Sequence, residues 1–241
     1  LSNQGMIDIT GKPLASMAFM QVVWGLRKEP FIGVRPLNHA KEAPSKGSWQ
    51  FTDAIDSWNW PGFEGTKAVI EVYAPGKRVR LLLNGRELGT KKLKNFKAVF
   101  RTPYAPGTLT AEALDDSGKT ISTFSLSSGD GEIHLRVVPE KSVLKANGTD
   151  LCYLPIEFAD GTGRLLPAIE QSVEVLAEGA VSLIGMGSAL YKTNESFLQN
   201  HYRAYRGRVL AVLKAEDKPG KAAVTIKSAG VEPVTIHLEV E

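Results

Sequence analysis

The sequence holds a single cysteine, Cys152, among its 241 residues. No disulfide can close within the chain, and no thiolate metal cluster can form. The four histidines, His39, His134, His201 and His237, fall in no HExxH or similar metal-ligand pattern. No apolar run approaches the roughly 20 residues of a membrane-spanning helix, and no signal peptide is visible. Neither sign of charge dominates. The 29 basic and 26 acidic residues leave a net charge of +3, which is no nucleic-acid footprint on a chain of this length. Nucleic acid and membrane are therefore not expected partners, and neither a metal nor a cofactor is expected.

What is present is an ordinary globular composition, 43% apolar, enough for one large domain or two of common size. From Lys67 onward the pattern is that of β-strands. AVIEVYAP sets Val69 against Ile70 and Val72 on opposite faces, and RVRLLLN turns Arg78 and Arg80 outward with Val79 and Leu81 inward. The latter run ends at Asn84-Gly85, the strongest short hairpin signal, because both residues accept positive φ. FKAVFR, TLTAEAL and KTISTFSL continue the series, a spacing typical of an immunoglobulin-like sandwich. SSGDG, Ser127 to Gly131, reads as a linker. A second series follows: EIHLRVVP, LCYLPIEFAD, SVEVLAEG, RVLAVLKA, AAVTIKS and VTIHLEV. Cys152 lies on an apolar strand pattern, which predicts a small buried core residue.

Residues 1–49 read differently. Thr10 is placed to cap a helix, Pro13 suits its first turn, and Met17, Met20 and Trp24 share one helical stripe. Pro30, Pro36, Pro44 and Gly47 then forbid regular structure for long. The expected architecture is all-β: two immunoglobulin-like β-sandwiches in series, 50–128 and 129–241, behind a short helical and irregular segment. Between Gly185 and Gly207 the strand rhythm breaks, and a loop with a helical turn is expected there. The chain begins at Leu1 rather than methionine, which raises the expectation of a piece of something longer.

Candidate chemistry is sparse. Asp53, Asp56 and Glu64 are close in sequence, but acids clustered in a loop are usually solvated surface, whereas glycoside hydrolysis needs two carboxyls facing across a cleft. GMGS at Gly185 to Ser188 lacks the Lys-Ser/Thr of a phosphate loop. No catalytic set is assigned. The aromatics offer more. Trp49, Trp58 and Trp60, with Tyr202 and Tyr205, are candidate carbohydrate contacts, since a ring face stacks on a pyranose. Against that stands a structural role for Trp58-Asn59-Trp60-Pro61-Gly62. In an extended segment the two indoles point to opposite faces, one into a core and one toward a neighbouring domain.

These stretches, taken in order, resemble the C-terminal part of glycoside hydrolase family 2, the β-galactosidase-like enzymes. GMIDITGKPLASMAFMQVVW resembles the segment after that family's last barrel strand. SWNWPGFEG resembles its opening into an immunoglobulin-like domain, and VYAPGKRVRLLLNGRELG and TPYAPGTLTAEALDDSGK its following strands. VLKANGTDLCYLPIEFADGTGRLLP and ESFLQNHYRAYRGRVLAVLKA resemble the second sandwich. The resemblance implies a non-catalytic accessory region attached to an upstream catalytic (β/α)₈ barrel of the same polypeptide. Two glutamates of that barrel perform retaining hydrolysis of β-glycosides, and no position here matches either of them. This chain alone is then expected to be inactive, with carbohydrate and a second copy of the chain as further candidate partners. Residence in a periplasm or outside the cell follows only from the family. The alternative reading is an independent carbohydrate-binding or adhesive sandwich module.

Overall fold

A computed structural model describes residues 5–40 and 51–241; Trp49 lies outside the described residues. The chain divides into two compact units, one running up to Gly129 and one spanning Asp130–Glu241. Both are β-sandwiches, and the fold is all-β apart from one described helix of nine residues.

The first unit contains α1 (Ala15–Val23), β1 (Phe31–Val34), β2 (Lys67–Tyr73), β3 (Arg78–Leu83), β4 (Arg86–Lys92), β5 (Lys97–Pro103), β6 (Thr108–Leu114) and β7 (Thr120–Ser127). One sheet has the order β1-β2-β5 and the other β4-β3-β6-β7. Period-2 alternation decides what each strand buries. Ile70, Val72, Ala98 and Phe100 of the first sheet are buried, as are Val79, Leu81, Leu109, Ala111 and Ala113 of the second. The β3–β4 connection is the hairpin expected from Asn84-Gly85, with φ of 51° and 78°, the two-residue geometry that matches strand twist.

Residues 15–34 are part of this packing. Between Pro30 and Pro36 there is room for a four-residue strand, β1, which pairs antiparallel with β2 from Phe31↔Tyr73 to Val34↔Ile70. One expectation for α1 is corrected. Its N-cap is Leu14, with no side-chain cap; the Thr10 hydroxyl donates instead to Asp8 Oδ1 at 2.7 Å, closing a turn before the helix. The buried stripe is Ala15, Ala18 and Val22, packed with Phe31 and Tyr73, because small side chains let the helix approach the aromatic rings. Met17, Met20 and Trp24 lie on the opposite side, and Trp24 is 59% exposed.

The second unit contains β8 (His134–Val137), β9 (Val143–Leu144), β10 (Leu151–Ala159), β11 (Ser172–Gly179), β12 (Val181–Gly187), β13 (His201–Arg203), β14 (Arg208–Ala215), β15 (Gly220–Ser228) and β16 (Val231–Val240). Its sheets are ordered β12-β14-β10-β8 and β13-β11-β15-β16-β9, the last pair parallel. Cys152, Leu154, Ile156 and Phe158 of β10 join Val209, Ala211 and Leu213 of β14 and Val224 and Ile226 of β15 in one buried core. The Gly185–Ser188 stretch proves to be the end of a strand: β12 pairs with β14, with a register shift between Leu183 and Gly185. Residues 188–200 form the expected loop, with a turn at Phe197 and Leu198 where the Gln199 N–H donates to the Ser196 carbonyl at 3.5 Å, and His201 opens β13 rather than lying in the loop.

Candidate functional site

The Trp58–Gly62 segment crosses from an irregular run into the first sandwich, and Tyr104 organises it. The backbone N–H of Trp60 donates to the Tyr104 hydroxyl at 3.1 Å. The Trp58 and Tyr104 rings meet edge to face, 4.9 Å apart at 67°. Trp58 Nε1 donates to the Ala105 carbonyl at 3.1 Å and Trp60 Nε1 to the Ser57 carbonyl at 3.2 Å. Each indole N–H is thus satisfied inside the protein, as a buried indole requires. Both indoles are fully buried, so the chain does not divide them between opposite environments. Asn59 is also buried, and its Oδ1 accepts the backbone N–H of Gly129 at 3.0 Å. Pro61 and Gly62 face solvent, with Gly62 at φ 84° completing the turn. Burial raises the Tyr104 phenol above its ordinary pKa, which keeps it neutral as a donor and acceptor.

The other aromatic candidates are also enclosed. Tyr202, on β13, is fully buried and stacks on Phe197, 5.8 Å apart at 7°. Tyr205 is half-buried, with the Arg206 guanidinium 5.0 Å over its ring. Trp58, Trp60 and Tyr202 therefore present no ring face to water, and one face of Tyr205 is taken by a cation.

No facing pair of carboxyls emerges from the acidic loop. Asp53 pairs with Arg35 at 3.0 Å, Glu64 accepts the N–H of Gly62 at 3.3 Å, and Asp56 is exposed. Among the described residues, no group of three or more His, Cys, Asp or Glu is placed to hold a metal ion. The most enclosed ionic arrangement lies in the second unit, where Glu157 on β10 sits between Arg136 on β8 and Arg208 on β14. Its Oε1 accepts from Arg208 Nε at 3.0 Å, and its Oε2 accepts from Arg136. Burial raises this carboxyl, but the two guanidinium groups outweigh burial and hold it below the usual glutamate range. Such a pair-wise neutralised carboxylate ties strands together and has no free proton to trade.

Against this geometry the comparisons fall into place. Residues 135–237 match the family described as "Glycoside hydrolase family 2 C-terminal domain 5", and residues 65–122 match "Domain of unknown function (DUF4982)". The chain is 30% identical over 190 residues to beta-galactosidase BoGH2A of Bacteroides ovatus, covering 76% of this chain and 22% of that protein. It is 25% identical over 199 residues to a beta-glucuronidase of Formosa agariphila, covering 77% of this chain and 19% of that protein. A solved glycosyl hydrolase family 2 member from Bacteroides cellulosilyticus superposes with a TM-score of 0.85 at 28% identity, covering 99% of this chain and 32% of that one. The chain thus spans about a fifth of the length of these curated relatives. The family match over the second sandwich, with relatives and a solved structure that span both, supports the chain as a C-terminal region of glycoside hydrolase family 2.

Proposed function

We propose that the chain is a non-catalytic accessory region of a family 2 glycoside hydrolase, holding a catalytic barrel of the same polypeptide in place. On this reading α1 is the end of the barrel region, and 50–128 and 129–241 are the supporting sandwiches. Hydrolysis of a β-galactoside or β-glucuronide, the activities in the names of the relatives, would belong to the whole enzyme.

The observation that carries this reading is the outer face of α1. The helix ASMAFMQVV has no charged residue; it is apolar on both sides, the pattern of a helix buried all round. One side packs on Tyr73 and Phe31. The other leads to Trp24 and Leu26, 59% and 72% exposed, and before the helix Ile7 and Ile9 are 51% and 46% exposed. An apolar area of this kind marks a surface made for another protein part.

The test compares Trp24→Glu in this chain and in a longer polypeptide that includes the sequence preceding it. The expected result is unchanged melting of the chain, but a lower melting temperature and lost β-glycosidase activity in the longer protein. Hydrolysis of a chromogenic β-galactoside or β-glucuronide by the chain alone, or indifference of the longer protein to Trp24→Glu, would overturn the proposal.

A further inference from the structure

Residues 91–97 contain four lysines, Lys91, Lys92, Lys94 and Lys97, around the connection from β4 in one sheet to β5 in the other. The connection turns through Asn95 and Phe96, at φ 50° and 63°. Left-handed backbone is an outlier for a bulky phenylalanine, and strain of this kind collects where a side chain must be held in place. Reciprocal backbone bonds between Lys94 and Lys97, at 2.9 and 3.1 Å, and the Ala74 N–H on the Phe96 carbonyl at 3.0 Å fix the turn.

Beside this turn lies a cavity of about 560 Å³, lined by Phe19, Phe51, Lys92, Lys94, Asn95 and Lys97 among others, with Lys97 Nζ 5.9 Å from the centre of the Phe51 ring. Its volume is within the roughly 300–1,000 Å³ of small-molecule sites. The two phenylalanine rings pack edge to face 5.0 Å apart, half-buried. Two of the lysines are already engaged. Lys91 Nζ donates to the Val99 carbonyl at 2.7 Å. Lys97 Nζ pairs at 2.7 Å with Glu71, whose carboxylate also accepts the Tyr73 hydroxyl at 2.6 Å. The buried Glu71 carboxylate is thereby neutralised. Lys92 and Lys94 are exposed and, among the described residues, have no carboxylate partner.

We propose that this cavity binds an acidic saccharide, one whose ring bears a carboxylate or a sulfate. The phenylalanines take the C–H face of the ring, Lys92 and Lys94 take the anion, and the Asn95 amide is placed for a hydroxyl. A wholly apolar ligand would make no use of the two ammonium groups, and a bare inorganic anion would make no use of the aromatic rings. A long polyanion needs an extended basic track, which a net charge of +3 does not provide. The site lies within the first unit and does not depend on the accessory reading, so it stands or falls without any activity measurement.

The test is calorimetric titration of the full 241-residue chain with trigalacturonate, galactose 6-sulfate, a neutral galactose trisaccharide and sodium sulfate. The acidic sugars are expected to bind with Kd of about 0.1–1 mM, weakening as salt is raised, and the neutral sugar and sulfate not to bind. The double variant Lys92→Gln/Lys94→Gln should weaken binding at least about tenfold with melting unchanged, since both side chains are exposed. Lys221→Gln/Lys227→Gln, which removes the same charge from the second unit, should leave binding intact. No binding of either acidic sugar, equal binding of the neutral sugar or of sulfate alone, or equal loss in both double variants would each overturn the proposal.

Discussion

The hydroxyl of Tyr104 accepts the backbone N–H of Trp60 at 3.1 Å, joining two residues that are both fully buried. That N–H lies in an irregular segment with no strand partner, so the phenol replaces a sheet ladder as its acceptor. Tyr104→Phe keeps the ring that packs on Trp58 but leaves the donor unsatisfied. A cost of about 1–3 kcal/mol is expected. Trp58→Ala, which empties the site, should cost about 3–5 kcal/mol. All four tryptophans, Trp24, Trp49, Trp58 and Trp60, precede Gly129, so tryptophan fluorescence during urea unfolding reads this unit alone. Equal midpoints for Tyr104→Phe and the parent would show that the hydroxyl contributes nothing.

Gly107 is held by Asn84. The Asn84 side chain accepts the Thr108 N–H at 2.8 Å and donates to the Pro106 carbonyl at 3.2 Å, wrapping the turn before β6. A β-carbon on residue 107 would lie 2.0 Å from Asn84 Oδ1, at a φ of 132°. Gly107→Ala therefore forces the amide out of its bonds as well as straining the backbone. Destabilisation of about 1–3 kcal/mol is expected, read again by tryptophan fluorescence. Asn84→Ala/Gly107→Ala should cost less than the two single changes added together; strict additivity would mean that the two residues do not interact.

Where local chemistry decided the outcome, the sequence was legible. Asn84-Gly85 tolerates positive φ at both positions, and Val79 and Leu81 alternate with two arginines, so a hairpin with one apolar face was the available solution. Cys152 followed from the same alternation. The helix was not legible in this way. Apart from Ser16 and Gln21, ASMAFMQVV is apolar, so periodicity cannot say whether Ala15 and Val22 or Met17 and Trp24 face inward; the room beside Tyr73 chose the smaller set. Trp58 and Trp60 escaped the alternation rule because they are not in a strand, and Trp60 is turned by its bond to Tyr104. β12 was hidden by its own irregularity, a register shift flanked by Gly185 and Gly187. The cavity by the lysine-rich turn was beyond reading: Phe19 and Phe51 are remote in sequence from Lys92 and Lys94 and meet them only after β1, β2 and β5 have paired.

Cys152 gives the second unit its own reporter. It is the only cysteine and is fully buried on β10, so a thiol reagent reaches it only when the unit opens. Labelling in native buffer should be slower than in urea by several orders of magnitude, in line with domain stabilities of roughly 5–15 kcal/mol. Fast labelling of the native protein would show that β10 opens locally and that its burial is not maintained in solution.

Glu157, five residues further along β10, makes that reporter useful. The carboxylate is buried and paired with Arg136 and Arg208, so Glu157→Gln leaves two guanidinium groups facing a neutral amide. Removing one partner of a buried pair costs about 3–5 kcal/mol, less here because both arginines are partly exposed; about 2 kcal/mol is expected, seen as faster Cys152 labelling near pH 7. The folded carboxyl is held below its ordinary value. Its contribution is therefore complete above the unfolded glutamate pKa of about 4.3 and is lost as pH falls through the lower folded value. The parent and Glu157→Gln should accordingly converge in labelling rate below about pH 4 and separate again on return to neutrality. A gap that stays constant across that range would assign the effect to packing alone and remove the ion pairs from the account of this sheet.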